Sequence, residues 1–555
     1  MKDLRFLKLG VCILVVVCIF VSVISVPTTS YALIESASDG GNSINLISGY
    51  SNENELIAQE NNFSYDFGDL NADGYINSID CLLMIRYLLN TITEFPNDVE
   101  LSCADVNGDE KIDSIDLLFV KSYVLGIINR FPAEDKITTN TDAFQPNKKP
   151  EDFIGNLSVS HFNNIEAVEL VRAFEKAYPN VSVDLMVAAD TNGGAYQNVL
   201  SSTLKSNSDV SDVYALEYAF VKRFVNYDSA FENLSSAPYN GEEIKSKLVP
   251  YTVDIGRDNE GNIKALSHLA SITTFGYKRD IAKEYLGTDD PEKIGEMLSS
   301  GENIIKTAKI LSEKSDGKVK IFPCMDELFR IYLGAREHAW VENGELVIDP
   351  KIEEFVDVAK ELRDLDATSG FVAWAPQWSA AICDDVHFAW AIPTWGIPWI
   401  IDCNQPYEQK KKGDWGLAQI PTASVWGGTW FAISKNSKNK ELAWEFIKFI
   451  TCNSQQSVDF AKSSGDFVSN VEAIDVLSKD ESMINKTINQ NPYQVYGPML
   501  NNVNGLIMTK YDDQISSAFL DALRMYLLGD ITKDQMWELF KYYVESDLGH
   551  KIVVN

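Results

Sequence analysis

Histidine is scarce in this chain, with five in 555 residues, all scattered. There is no HExxH, no GxSxG and no phosphate loop, which sets aside the zinc-hydrolase, nucleophile-elbow and P-loop classes. Positive charge is also short: 48 Lys and Arg against 80 Asp and Glu give a formal charge of -32. Such a balance disfavours nucleic acid and anionic membranes as partners and keeps a secreted protein soluble. Of eight cysteines, two lie in the first 32 residues; the rest, Cys81, Cys103, Cys324, Cys383, Cys403 and Cys452, show no metal-ligand spacing. Widely spaced thiols with apolar neighbours leave both disulfides and free buried cysteines open.

Lys2, Arg5 and Lys8 precede an apolar run over residues 11–26, and Ser30-Tyr31-Ala32 supplies small residues for cleavage. This pattern predicts a secretory signal over residues 1–32, removed near Ala32. The alternative, a spanning anchor, needs a longer run and a stop-transfer flank. Val17 before Cys18 fits a lipobox poorly. No direct membrane insertion is expected after cleavage, which would move the charge to about -34.

What is present begins with a duplication. Residues 69–80, DLNADGYINSID, recur 36 positions later as DVNGDEKIDSID over 105–116. Oxygen side chains at loop positions 1, 3, 5, 9 and 12, with a backbone carbonyl at position 7, suit a hard cation needing six to eight oxygens. The candidate calcium ligands are Asp69, Asn71, Asp73, Tyr75, Asn77 and Asp80, then Asp105, Asn107, Asp109, Lys111, Asp113 and Asp116, for two ions. The plainer reading is two acidic surface turns. Position 6, which favours glycine, is Gly74 in one copy and Glu110 in the other, so the second site is expected to be the weaker.

An apolar helical run follows each loop, CLLMIRYLL and LLFVKSYVL. A segment of about 70 residues cannot bury both helices, so part of that surface should face a partner. Residues 65–132 resemble a type I dockerin, the paired calcium module, all-α with EF-hand-like loops, that docks on a cohesin of a cellulosomal scaffoldin. The resemblance places cohesin recognition on Ser78, Ile79 and Arg86, and on Ser114, Ile115 and Lys121. The same Ser-Ile pair in both copies implies binding in two orientations.

Residues 33–62 and 133–150 read as linkers, leaving a dockerin at 63–132 and a large module at 151–555, too long for one core. The large module opens with a strand at 157–161, a helix at 165–178 with Ala167, Leu170, Val171 and Phe174 at helical spacing, and a strand at 181–187. That order predicts a right-handed parallel unit, with residues 161–164 and 189–192 at a cleft beyond the strand ends. VELVRAFEKAYPNVSV, SDVYALE, TFGYKRDI and VWGGTWFAISKNSKNKELAWEFIKFI, in this order, resemble extracellular solute-binding proteins of carbohydrate ABC transporters. The resemblance implies an α/β two-lobe, periplasmic-binding-protein-like (type II) fold closing around a sugar, with an ABC transporter permease among its partners. Lobe 1 is then expected at about 151–270 and 431–460, lobe 2 at about 271–430, and bracing helices at 440–550.

Eight of eleven tryptophans fall between residues 374 and 430. Indole faces stack on the C–H faces of sugar rings, and nearby carboxylates or amides pair with the hydroxyls. Trp395, Trp426 and Trp430 beside Gly or Pro, Trp374 and Trp378, and Glu217 at a strand end are the candidate oligosaccharide contacts. Trp390 and Trp399, inside apolar runs, are expected in the core. Asp384 and Asp385 read as a charged loop, because adjacent carboxylates do not face each other across a substrate. The expectation is a secreted, non-catalytic oligosaccharide binder tethered to a cellulosome. A polysaccharide-degrading enzyme and an interaction module without ligand are the alternatives.

Overall fold

The computed structural model describes residues 67–72, 75–99, 101–109, 111–125, 127–128, 131–133, 144, 148–188, 194–206, 210–227, 230–406 and 413–554. The N-terminal signal and first linker, most of the second linker, Asp73, Gly74, Glu110 and residues 189–192 lie outside them. The chain divides into two units, residues 1–135 and 136–555.

In the first unit the duplication becomes two matched helices, Ser78–Leu88 and Ser114–Val124. Each starts with a reciprocal cap: Asn77 accepts from the helix backbone while Asp80 reaches back to Asn77, and Asp113 and Asp116 repeat this 36 residues on. Leu83, Met84, Val106 and Val120 form a small core closed by Phe95 and Phe131. Tyr87 meets Phe95 and Tyr123 meets Phe131, with ring centroids 5.2 and 4.9 Å apart.

The second unit is built on two sheets. Strands β1 (Gly155–His161), β2 (Val181–Val187), β3 (Val213–Glu217), β4 (Ala265–Ser267) and β11 (Thr429–Ile433) lie in the order β2-β1-β3-β11-β4. β1 runs parallel to β2 and β3, and β11 is inserted antiparallel between β3 and β4. The helix between β1 and β2, Asn164–Ala177, is capped by Asn163 and buries Ala167, Leu170, Val171 and Phe174. A second sheet holds β5 (Ile272–Lys278), β8 (Ala389–Pro393), β9 (Trp415–Leu417) and β10 (Ser424–Val425), with β5 pairing all three others antiparallel. β5 is buried along its whole length, and Gly276 lets it approach β8: a Cβ there would stand 2.5 Å from Ile392. A short hairpin, β6 (Val341–Glu342) with β7 (Glu345–Leu346), lies apart from both.

The chain passes from the first sheet to the second between β4 and β5 and returns between β10 and β11. Residues of the C-terminal third tie to both: Ser469 N–H bonds His268 beside β4, and the Tyr496 hydroxyl donates to Ile392 of β8 at 2.9 Å. Aromatic stacking of Phe329 on Phe519, 5.1 Å apart, seats the helix Asp512–Leu528 against Asp326–Ala335.

Candidate functional site

In the smaller unit, the last acid of each loop is buried and tied to its own turn. Asp80 accepts the N–H of Leu70 and of Asn77, both at 2.8 Å, and Asp116 accepts those of Asn107 and Asp113 at 3.2 and 2.9 Å. Burial raises both carboxyls, and the neighbouring charges of Asp69, and of Asp105 and Asp113, add to it. Carboxylates gathered at such a cost are the donor set a hard divalent cation offsets. Among the described residues no three acidic, His or Cys side chains already form a metal cluster. At loop position 4 the backbone is left-handed in both copies, at Ala72 (φ 53) and Gly108 (φ 68).

The outer face of this unit is apolar with the same repeat. Ile79 and Ile115 are 50% and 49% exposed, and Leu82 with Leu118, and Leu89 with Leu125, are open too. Ser78, Arg86, Ser114 and Lys121 are exposed beside them. Every expected recognition residue thus faces outward.

In the larger unit, three of the named tryptophans come together from three places in the chain. Trp374 stands in a left-handed backbone conformation (φ 69) and is 50% exposed. A bulky residue held there is a strained choice. Its ring is near parallel to Trp395 (centroids 6.2 Å, 15°), and Trp426 stands across both, at 80° to Trp374 and 76° to Trp395. Trp395 donates its indole N–H to the Trp426 carbonyl at 2.7 Å. This approach needs Gly427 (φ 90), where a Cβ would lie 2.7 Å from the Trp395 nitrogen.

Two polar residues are tied to the Trp426 turn. Glu217 ends β3, pairs with Thr429 of β11, and caps the helix Tyr218–Val225 by accepting the Ala219 N–H at 2.7 Å. Burial, with the charges of Asp513 and Glu166, pushes its carboxyl up to about 7. The Tyr218 N–H bonds Gly428, which brings this strand end to the Trp426 turn. Arg330 lays its guanidinium over Trp426, 3.7 Å from the ring centroid, and fixes that indole. Burial lowers Arg330, opposed by the charges of Glu327 and Asp326.

Two of the expected contacts lie elsewhere. Trp430 is 1% exposed and gives its N–H to the Thr252 carbonyl at 2.7 Å; β11 lies between β3 and β4 and is buried along its whole length, which puts Trp430 in the core of the first sheet. Trp378 is buried and donates to Glu327, which also accepts the Ala391 N–H; its ring touches the cluster only through Trp374, 5.2 Å away. Trp390 is in the core, with Lys278 Nζ 4.8 Å over its ring, whereas Trp399, expected there, is 55% exposed. Ile397, Ile400 and Ile401 take the buried face of that π-helical turn, so Trp399 points outward. His161 is buried, with its Nδ1 accepting from Asn163 N–H, and offers nothing to a cleft. Cys383 and Cys403 are exposed, and none of the six described cysteines is in a disulfide.

Arg330 and Tyr218 were not signalled by any local motif; they reach Trp426 and its turn only through folding. Asp384 is no loose charge. It accepts from Val386 N–H, His387 N–H and His387 Nδ1, and binds Lys278. Ser369 completes a Ser–His–Asp chain at 2.7 Å from His387 Nε2. With its carboxylate spread over four donors, this chain fastens the segment before β8 to Ser369, next to Thr368 and its isolated bridge with Phe322.

A dockerin type I domain model matches residues 67–125, and a bacterial extracellular solute-binding protein model matches residues 169–487. Among solved structures, an extracellular solute-binding protein of family 1 aligns at TM-score 0.63 and 19% identity, covering 70% of this chain and 99% of that one. The galacto-N-biose-/lacto-N-biose I-binding protein of the ABC transporter from Bifidobacterium longum aligns at 0.57 and 15%, over 72% and 99%. The sugar-binding protein MalE from Xanthomonas citri aligns at 0.56 and 15%, over 70% and 97%. These likenesses give the two-lobe fold. The family match spans more than half of the chain and is to binding proteins rather than enzymes: behind an N-terminal dockerin type I domain, this chain belongs to the bacterial extracellular solute-binding proteins.

Proposed function

We propose that the protein is a secreted oligosaccharide-binding protein, held on a cellulosomal scaffold by its dockerin and closing two lobes around its sugar. The observation that carries the reading is Trp374: half exposed, strained, and parallel to Trp395 with Trp426 across both. Indole faces so arranged suit the C–H faces of sugar rings, and Glu217 beside them suits the hydroxyls. The solved relatives named for lacto-N-biose and for sugar binding support the same ligand class.

The dockerin part rests on its family match, its buried Asp80 and Asp116, and its repeated apolar face. Asp69, Asn71, Asp73, Tyr75, Asn77 and Asp80 would hold one calcium, and Asp105, Asn107, Asp109, Lys111, Asp113 and Asp116 a second. The ions tie each loop to its helix. Ile79 and Ile115, with Ser78, Ser114, Arg86 and Lys121, would meet the cohesin. Bound sugar is retained for a permease or for enzymes on the same scaffold.

Tryptophan fluorescence during titration with cello-, xylo-, manno- and arabino-oligosaccharides tests the ligand reading. A saturable change in one series is expected; flat traces in all four would sink it.

A further inference from the structure

The guanidinium of Arg330 has an indole beneath it and no acceptor. Its carbon stands 3.7 Å from the centroid of the Trp426 ring. An N–H aimed into the ring would hold that carbon farther off, so the guanidinium lies flat on the indole and its donors point outward in their own plane. Among the described residues Arg330 makes no hydrogen bond and no ion pair. The two acids one turn earlier on the same helix are engaged elsewhere. Asp326 takes the Ala373 N–H at 3.3 Å and Arg524 at 3.4 Å, and Glu327 takes the Trp378 and Ala391 N–H groups. A chain with 80 Asp and Glu against 48 Lys and Arg has acids to spare. A partly buried guanidinium left without one is therefore not a shortage of partners, and it is costly unless something else supplies the acceptor.

We infer, resting on the oligosaccharide reading above, that the preferred ligand is an oligosaccharide carrying a uronate group, and that Arg330 is the residue that receives its carboxylate. Stacking on the rings cannot select such a sugar, because a carboxyl in place of a hydroxymethyl leaves the C–H face intact. The guanidinium can. Its planar fork offers two parallel N–H donors to the two oxygens of a carboxylate, with a charge assistance that a neutral hydroxyl cannot return. Trp426 also fixes the fork before the ligand arrives, so little side-chain freedom is lost on binding. The Trp426 ring lies 6.0 Å from the half-exposed Trp374 ring and 5.3 Å from Trp395, which puts Arg330 within one or two sugar units of the stacking faces. The rings then hold the neutral part of the chain, and Arg330 sets the preference for its acidic form.

The test uses the full chain and calorimetric titration, at neutral pH and low salt, with xylo-oligosaccharides against the same oligomers bearing one glucuronate side group, and with cello- and manno-oligosaccharides against their C6-oxidised forms. The expected result is that one series binds, with its uronate form tighter by on the order of 10-fold or more. Raising the salt to about 0.5 M should narrow that gap. Arg330→Gln should close it, and Arg330→Lys, which keeps the charge and loses the fork, should leave only part of it. The quantity read is the ratio of the two affinities: a guanidinium that only supports Trp426 would weaken both forms together and leave the ratio unchanged. That outcome overturns the inference. Equal or weaker binding of the uronate form by the unaltered protein overturns it too, without any variant, and leaves the oligosaccharide reading intact. Silence from neutral and uronate forms alike brings down both.

Discussion

Trp395 gives its indole N–H to the carbonyl of Trp426 at 2.7 Å while the two rings stand at 76°. One hydrogen bond therefore couples the segment after β8 to the turn that leads back into the first sheet. Gly427 lies in the middle of that contact. Gly427→Ala would force a methyl against the Trp395 nitrogen and a left-handed alanine, and should cost about 1–3 kcal/mol in urea unfolding. A variant as stable as wild type would show that the contact is not maintained.

Trp374 and Trp430 should separate binding from stability. Trp374→Ala removes a half-exposed ring and should weaken sugar binding by on the order of 10-fold, with a change in unfolding free energy under about 1 kcal/mol. Trp430→Ala empties the core and should cost about 3–5 kcal/mol. The opposite pattern would restore Trp430 as a ligand contact.

Protonation gives a further handle. Glu327, buried, and Glu217 both hold their proton up to about 7 in the folded protein, against about 4.5 in an unfolded chain. The folded state then binds more protons across that interval, so these two groups make stability fall as pH rises from about 4.5 to about 7. Glu327→Gln should flatten that part of the stability profile. Sugar affinity should move the other way, rising through pH 7 as Glu217 ionises to accept hydroxyl protons; Glu217→Gln should remove the dependence.

Calcium should act on one unit only. Chelation is expected to abolish the thermal transition of the dockerin and leave that of the solute-binding module within a few degrees, read by calorimetry on the whole chain. Loss of both transitions would refute independent units.

The repeated face predicts redundancy. Ile79→Asp or Ile115→Asp alone should leave cohesin binding within a few-fold, because the other helix can take the same place, whereas the double variant should lose it by more than about 100-fold. A full loss from one single variant would mean one binding orientation.

Much of this was readable from residue patterns, for identifiable reasons. The loops declared themselves because the same oxygens recur at the same offsets. The helix Asn164–Ala177 did so because its apolar residues keep a 3.6 period, and Glu217 because it closes a buried strand. Trp395 and Trp426 shared with Trp430 a Gly-rich or Pro-rich neighbourhood, which does not report burial; Trp430 lies in β11, an inner strand buried along its whole length. Trp399 sits in an apolar run whose π-helical turn puts its isoleucines inside. Arg330 carried no local signal, since only the folded position of Asp326–Ala335 lays it over Trp426.

The most direct measurement is calorimetric titration of cello-, xylo-, manno- and arabino-oligosaccharides into the calcium-loaded protein already bound to a type I cohesin, with the sugar analysed afterwards. Saturable binding of one series, one sugar per chain and the sugar intact, is the predicted result. Silence in all four series, or sugar recovered as shorter products, would contradict a tethered binder.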